Sequence, residues 1–259
     1  MPRLIAIANQ KGGVGKTTTT LNLGAALAER GRRVLLLDLD PQASLTLALG
    51  LDPDSLSRTL YSAMLDIVKG DDPTLDSLLQ RTDSGLHLLP ANIELSQAEL
   101  DLTREPLGIY ALRDTLAALH ASPATLYDFI LLDCPPSLGI LTANALAAVR
   151  EVLIPLQADY LALKGVDLLL KTIVKIQRRA NPDLKALGIV LTLADLRTLH
   201  AREVVEAARA SFSAPVFNTL IPHNVRLKEA PLTGQSILTY APDSPGARAY
   251  RALAQEIDV

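Results

Sequence analysis

Short apolar runs recur along the chain, each cut off by glycine, proline or charge. RLIAIAN (3–9), RVLLLDL (33–39), LHLLPA (86–91), YDFILLD (127–133), EVLIPL (151–156), LKALGIVLT (184–192) and APVFNTLIP (214–222) are near-continuous in apolar residues. Runs of this length and composition predict strands covered on both faces. Helical spacing fills most of the gaps. The first helix is expected over 16–30, with Leu21, Leu23, Ala25, Ala26 and Leu27 on its apolar side and Gly31 as its stop. Others are expected over 94–103, 109–120, 138–149, 161–180, 200–211 and 244–257. Strands alternating with helices predict an α/β fold: a mostly parallel, twisted sheet flanked by helices on both faces. The segment 51–85 is richest in Asp, Ser and Pro and reads as an irregular excursion. No repeat, low-complexity tract or linker divides the chain, so residues 1–259 are read as a single domain.

Composition adds constraints to this outline. The chain is 49% hydrophobic but only 3% aromatic with no Trp, so its core must be aliphatic. No apolar stretch reaches the roughly 18 residues of a membrane span, and MPRLIAIANQ lacks the pattern of a secretion signal. The single cysteine, Cys134, excludes a disulfide or a cysteine-based metal cluster within one chain. A cytoplasmic protein without stable membrane association is expected. The net charge of −3 conceals an asymmetry. Residues 1–150 carry 12 Lys/Arg against 17 Asp/Glu, whereas 164–229 carry 11 against 6. A basic window in an acidic chain is compatible with a local polyanion partner, although charge alone favours solvated helix faces.

The first strand runs directly into NQKGGVGKTT, residues 9–18. Gly15, Lys16 and Thr17 match the end of the phosphate-loop pattern G-x-x-x-x-G-K-[ST], but Gln10 stands where its first glycine belongs and Lys11 is an extra cation. Gly12, Gly13 and Gly15, with Val14 between them, let backbone N–H groups converge on phosphate at the positive end of the next helix. Lys16 is expected to reach the β- and γ-phosphates of a nucleotide, Thr17 to bind Mg²⁺ directly, and Thr18 to sit by the α-phosphate. Two strands deliver carboxylates to the same sheet edge: LLLDLDPQ brings Asp38 and Asp40, and DFILLD brings Asp133. In open α/β sheets ligands bind at that edge. Asp133 is suited to hold a metal-bound water and Asp40 to orient a water for in-line attack, while Asp38 could be structural.

KGGVGKTT, LLLDLDPQ and DFILLDCPPSLGILTANAL, followed by IPHNVRLKEAP and YAPDSPGARAYRALAQEI, resemble the ParA/MinD family of deviant Walker A P-loop ATPases, in particular its chromosomal ParA (Soj-type) branch. The resemblance covers nearly the whole chain in order. It implies a P-loop NTPase fold and slow, Mg²⁺-dependent ATP hydrolysis stimulated by a ParB-type partner. It also implies an ATP-dependent homodimer in which Lys11 reaches the other subunit's ATP and Gly12 lets the two loops meet. Lys11, Lys16 and Asp40 are thereby the expected catalytic residues, and Pro222 and Asn224 the segment lining adenine. Double-stranded DNA bound without sequence preference, through Arg197 and Arg226, is the expected polyanion, which places the protein at the nucleoid. This chain departs from the pattern at His223, Lys164 and Pro245, where relatives often carry Arg, Glu and Arg. A membrane-associated MinD-like role would require an amphipathic tail, and ARAYRALAQEIDV, with Glu256 and Asp258, is a poor one. Reductases that bridge a metal cluster need two cysteines per subunit, and a ligase reading is disfavoured by Lys11 and by the ParA-like C-terminal segments.

Overall fold

A computed structural model describes residues 2–73, 75–82, 85–120, 127–195 and 199–259. Its centre is an eight-stranded sheet: β1 (Arg3–Ile7), β2 (Val34–Asp38), β3 (Gln80–Arg81), β4 (His87–Leu89), β5 (Phe129–Asp133), β6 (Glu151–Gln157), β7 (Lys185–Ala194) and β8 (Val216–Pro222). The spatial order is β3-β4-β2-β5-β1-β6-β7-β8. Every pairing is parallel except that of the two-residue edge strand β3 with β4. Seven strands fall where the apolar runs predict them; β3 carries no apolar run and is the one not anticipated.

Helices cover both faces. They are α1 (Lys16–Glu29), α2 (Ser44–Ala48), α3 (Leu60–Lys69), α4 (Ala98–Arg104), α5 (Ala111–His120), α6 (Ile140–Ala148), α7 (Tyr160–Arg179), α8 (Leu199–Ser211), α9 (Arg226–Glu229), α10 (Ile237–Tyr240) and α11 (Pro245–Ile257). Side-chain alternation along the strands splits the interior into two cores. Ala6, Leu35, Leu37, Ile130 and Leu132 face one, which α3 to α8 cover. Ile5, Ile7, Leu36, Phe129 and Leu131 face the other, covered by α1, α2, α10 and α11. The expected irregular excursion at 51–85 contains a regular element instead. Helix α3 buries Leu60, Ala63 and Met64; Ser62 Oγ accepts the Thr59 N–H at 3.2 Å, and Gly70, at φ 82°, stops it. The two helices expected over 94–103 and 109–120 each begin as a short 3₁₀ turn, Ile93–Ser96 and Gly108–Tyr110, before α4 and α5.

Register aligns the strand ends that matter. Asp133 is the Cα partner of Ile7 on one side and of Asp38 on the other. The glycine loop after β1 and the carboxylates ending β2 and β5 therefore stand on one level. Pro245 occupies the first helical position of α11, behind Ser244, whose Oγ accepts the Ala247 N–H at 3.1 Å. Proline lacks a donor that would be unpaired there in any case.

Candidate nucleotide site

The loop between β1 and α1 is tied down on three sides. Asn9 is buried; its Nδ2 donates to the Pro155 carbonyl at 2.8 Å and its Oδ1 accepts the Lys11 N–H at 3.0 Å. Gln10 Nε2 donates to the Gly165 carbonyl at 2.9 Å, fastening the loop to α7. Val14 is fully buried, and its carbonyl accepts from Thr192 Oγ1 at 2.8 Å. Gly13 and Gly15 have φ of 72° and 86°, the left-handed region open to glycine. Gly15 begins α1, whose first turn carries no side-chain cap and no acidic residue. The N–H groups and positive dipole end of α1 are left for an external anion.

These groups border a cleft of about 780 Å³, with Gly12, Gly13, Lys16, Thr17 and Thr18 along one wall. A second cavity, about 500 Å³, opens at the opposite end of the sheet near Arg32, His87 and Tyr127; no glycine loop or buried carboxylate lines it. Inside the first cleft Lys16 is 7% exposed and its Nζ donates to the Lys11 carbonyl at 3.1 Å. Burial lowers the Lys16 pKa, opposed by the negative charge of Asp133, then Cys134 and Asp40. A triphosphate would supply the compensating charge. Lys11 is exposed, and its Nζ donates to Gln157 Oε1 at 3.3 Å.

The carboxylates divide into two kinds. Asp38 is fully buried and saturated: Oδ1 accepts the Asp40 N–H at 3.1 Å, and Oδ2 accepts the Thr46 N–H and Oγ1 at 2.9 and 2.8 Å. Burial raises its pKa to about 6 against the pull of those donors. Its work is structural, fixing the turn that presents Asp40. Asp40 is half-buried, borders the cleft, and accepts the Gln42 N–H at 3.0 Å. Asp133 is fully buried; Oδ1 accepts from Thr20 Oγ1 at 3.4 Å, while Oδ2 has no partner among the described residues. Burial, then the proximity of Asp38, pushes its carboxyl well above the usual range, and the Thr17 side chain and Lys16 pull it down. An unpartnered oxygen deep beside Thr17 and Lys16 fits a donor delivered with the ligand, such as a metal-bound water. No group of three or more His, Cys, Asp or Glu among the described residues could hold a metal unaided. Mg²⁺ would thus arrive with phosphate oxygens, using the Thr17 hydroxyl directly and Asp40 and Asp133 through water.

On the far wall lie Pro222, which ends β8, and Asn224, whose Oδ1 accepts the Arg226 N–H at 3.0 Å. His223 borders the mouth, and its N–H donates to the Ala194 carbonyl at 3.2 Å. Sequence reasoning missed Tyr250, Thr192, Leu193, Gln157 and Ser44, all of which border the cleft. Leu193 adopts φ 53°, a conformation costly for a leucine, on the wall facing the loop. Tyr250 Oη lies 3.2 Å from Thr19 Oγ1, joining α11 to α1. Cys134 is buried with its thiol pushed up by burial, so it packs and does not react.

The basic window is described in part. Arg226 is 55% exposed and pairs with Glu229 at 2.8 Å; its neighbours Leu227 and Lys228 border the cleft. Arg197 lies outside the described residues, as does the side chain of Lys164, whose backbone belongs to α7. No described helix is long and apolar enough to cross a membrane.

Comparison with known proteins places this geometry. A family model described as an AAA domain matches residues 2–186. The chromosome-partitioning ATPase Soj of Thermus thermophilus is 48% identical over 98% of this chain and 95% of its own length. The chromosome partitioning protein ParA of Myxococcus xanthus is 45% identical over 98% of this chain and 87% of its own. Among solved structures, a Mycobacterium smegmatis protein named as cobyrinic acid a,c-diamide synthase, with bound ADP and magnesium, is 43% identical. It superimposes with a TM-score of 0.85 over 99% of this chain and 94% of that one.

Proposed function

This chain belongs to the ParA/Soj partitioning branch of the ParA/MinD P-loop ATPases, an ATPase using ATP and Mg²⁺, and from that premise we propose that it acts as an ATP-timed dimer on DNA. Each protomer binds one nucleotide between the glycine loop and the Pro222–Asn224 wall. Lys16 neutralises the β- and γ-phosphates, and the uncapped start of α1 receives phosphate oxygens. Mg²⁺, when bound, draws charge from the phosphates. Asp40, held in place by Asp38, orients water for attack on the γ-phosphorus; the bond to the β-phosphate oxygen breaks, leaving ADP and phosphate. Lys11 and Gly12 serve a second subunit.

The observation carrying the dimer reading is the contrast within one loop. Lys16 is buried and aimed into its own cleft, whereas Lys11 is exposed at the rim. Gly12 has no positive φ, and a Cβ built on it meets nothing within 4 Å. Nothing among the described residues requires glycine there, so the requirement is assigned to something arriving from outside. The relatives' names support a partitioning role. DNA bound through Arg226 and Arg197, stimulation by a ParB-type partner, a nucleoid location in the cytoplasm and the absence of stable membrane association complete the reading. The synthase name carried by the mycobacterial structure is not taken over, because sequence relatives of similar identity are named for partitioning.

Light scattering on the purified chain with and without ATP tests the reading. The expected result is a monomer alone, a dimer with ATP, a persistent dimer in Asp40→Ala and a monomer in Lys11→Ala. A Lys11→Ala chain that dimerises normally, or an Asp40→Ala chain that turns over ATP at the original rate, would overturn the corresponding assignment.

A further inference from the structure

Gln157 is the last residue of β6, half-buried on the cleft wall, and its Oε1 receives the Lys11 ammonium at 3.3 Å. The rest of Lys11 is also engaged by its own chain. Its N–H is held by Asn9, itself fastened to Pro155 of β6, and its carbonyl by Lys16. The end of β6 thus grips both the backbone and the tip of the residue that the dimer needs in the other subunit. The grip is of a particular chemical kind. A neutral amide oxygen holds an ammonium without cancelling its charge, so a triphosphate outcompetes it. A carboxylate at the same position would retain the lysine.

We propose that Gln157 is a positioning residue that parks the Lys11 ammonium against its own β6 until a second subunit's nucleotide draws it away. The proposal rests on the cross-subunit role of Lys11. It has a quantitative signature, because a two-fold dimer must release two such contacts. Removing one weak, partly exposed hydrogen bond is worth about threefold in equilibrium. The dimerisation constant changes as the square, about tenfold.

The test measures dimerisation by sedimentation or light scattering across protein concentration, with a non-hydrolysable ATP analogue, and ADP affinity of the monomer in parallel. Gln157→Ala is expected to tighten the dimer about tenfold when the dimerisation constants are compared at saturating analogue, the ADP titration setting the concentration needed. Gln157→Glu is expected to weaken the dimer, and rising salt to restore part of the loss, because a surface ion pair is screened. Opposite shifts from the two variants are what a merely structural glutamine would not produce. A dimer unchanged or weakened in Gln157→Ala, or shifted in the same direction by both variants, overturns the proposal. If Lys11→Ala still dimerises, the cross-subunit reading itself fails; if Lys11→Ala stays monomeric while Gln157→Ala fails to tighten the dimer, only the role of Gln157 is lost.

Discussion

Thr46→Val isolates the support beneath the turn that carries Asp40. Valine keeps the shape of a fully buried residue and removes one hydroxyl. That hydroxyl donates to Asp38 Oδ2 at 2.8 Å and accepts the Ala91 N–H at 3.1 Å. A hydrogen bond to a charged group contributes about 1.5–3 kcal/mol, and a buried N–H left unpaired costs about 1–3 kcal/mol. The sum is about 4 kcal/mol, a large share of the stability of a domain. The loss depends on pH with a definite sign. The Asp38 carboxyl is raised to about 6, so the folded state holds its proton more tightly than the unfolded chain. Its contribution is fully present below about pH 4 and is lost as pH rises to about 6. Thr46 is among the groups that restrain this rise, so the variant pushes the carboxyl higher and widens the window. The deficit is therefore expected to be larger at pH 8, where Asp38 must ionise, than at pH 5, where it is mostly protonated when folded. Urea unfolding of the nucleotide-free chain at both pH values, wild type against variant, reads this directly. A deficit below about 1 kcal/mol at pH 8, or equal deficits at both, would refute the account of Asp38 as a charged strut.

Other expectations concern the loop, its partner surface and the core. Lys16→Ala is expected to abolish productive nucleotide binding, read by fluorescent-nucleotide titration; unchanged affinity and turnover would remove it from the site. Gly12→Ala is expected to melt within a few degrees of the original chain, since no atom obstructs the new methyl, yet to lose ATP-dependent dimerisation; a large stability loss would return Gly12 to an internal role. Gly108→Ala should be among the most damaging single changes, because its Cβ would lie 2.0 Å from the Leu102 carbonyl oxygen, backbone that cannot swing aside; soluble, cooperatively unfolding protein of normal stability would contradict that. Arg226→Ala is expected to leave stability nearly unchanged, its ion pair being exposed, while lowering the log–log salt slope of DNA binding by about 0.9; an unaltered slope would take the guanidinium off the DNA.

What could be read along the chain was what local pattern controls. The apolar runs located seven strands, and the glycines, Lys16, Thr17 and the strand-end aspartates located one wall of the cleft. Thr59, Ser62 and Gly70 mark the ends of helix α3, but the Asp and Pro around it obscure them in the sequence. The five-residue α2 and the four-residue α9 and α10 are shorter than a helical pattern can reveal. The opposite wall was beyond local reading. Thr192 meets Val14 across 178 residues and Tyr250 meets Thr19 across 231, and no spacing rule encodes such pairings. Gln10 shows the limit from the other side. It looked like a missing glycine, and its partner is a carbonyl 155 residues away on α7.

Helix α11 closes over α1 through Tyr250 and Thr19, through Arg251 and Glu29, and through Asp258 with Arg30 and Arg32, while Arg3 of β1 donates to the Ile257 carbonyl. On the ribosome this arrangement separates the making of the nucleotide site from its completion. The glycine loop is synthesised well before the wall that faces it: Pro222, Asn224 and Tyr250 follow it by more than 200 positions. An unfinished chain carries the loop without the pocket. A chain ending before β8 and α11 has neither the Pro222–Asn224 wall nor the cover of α1.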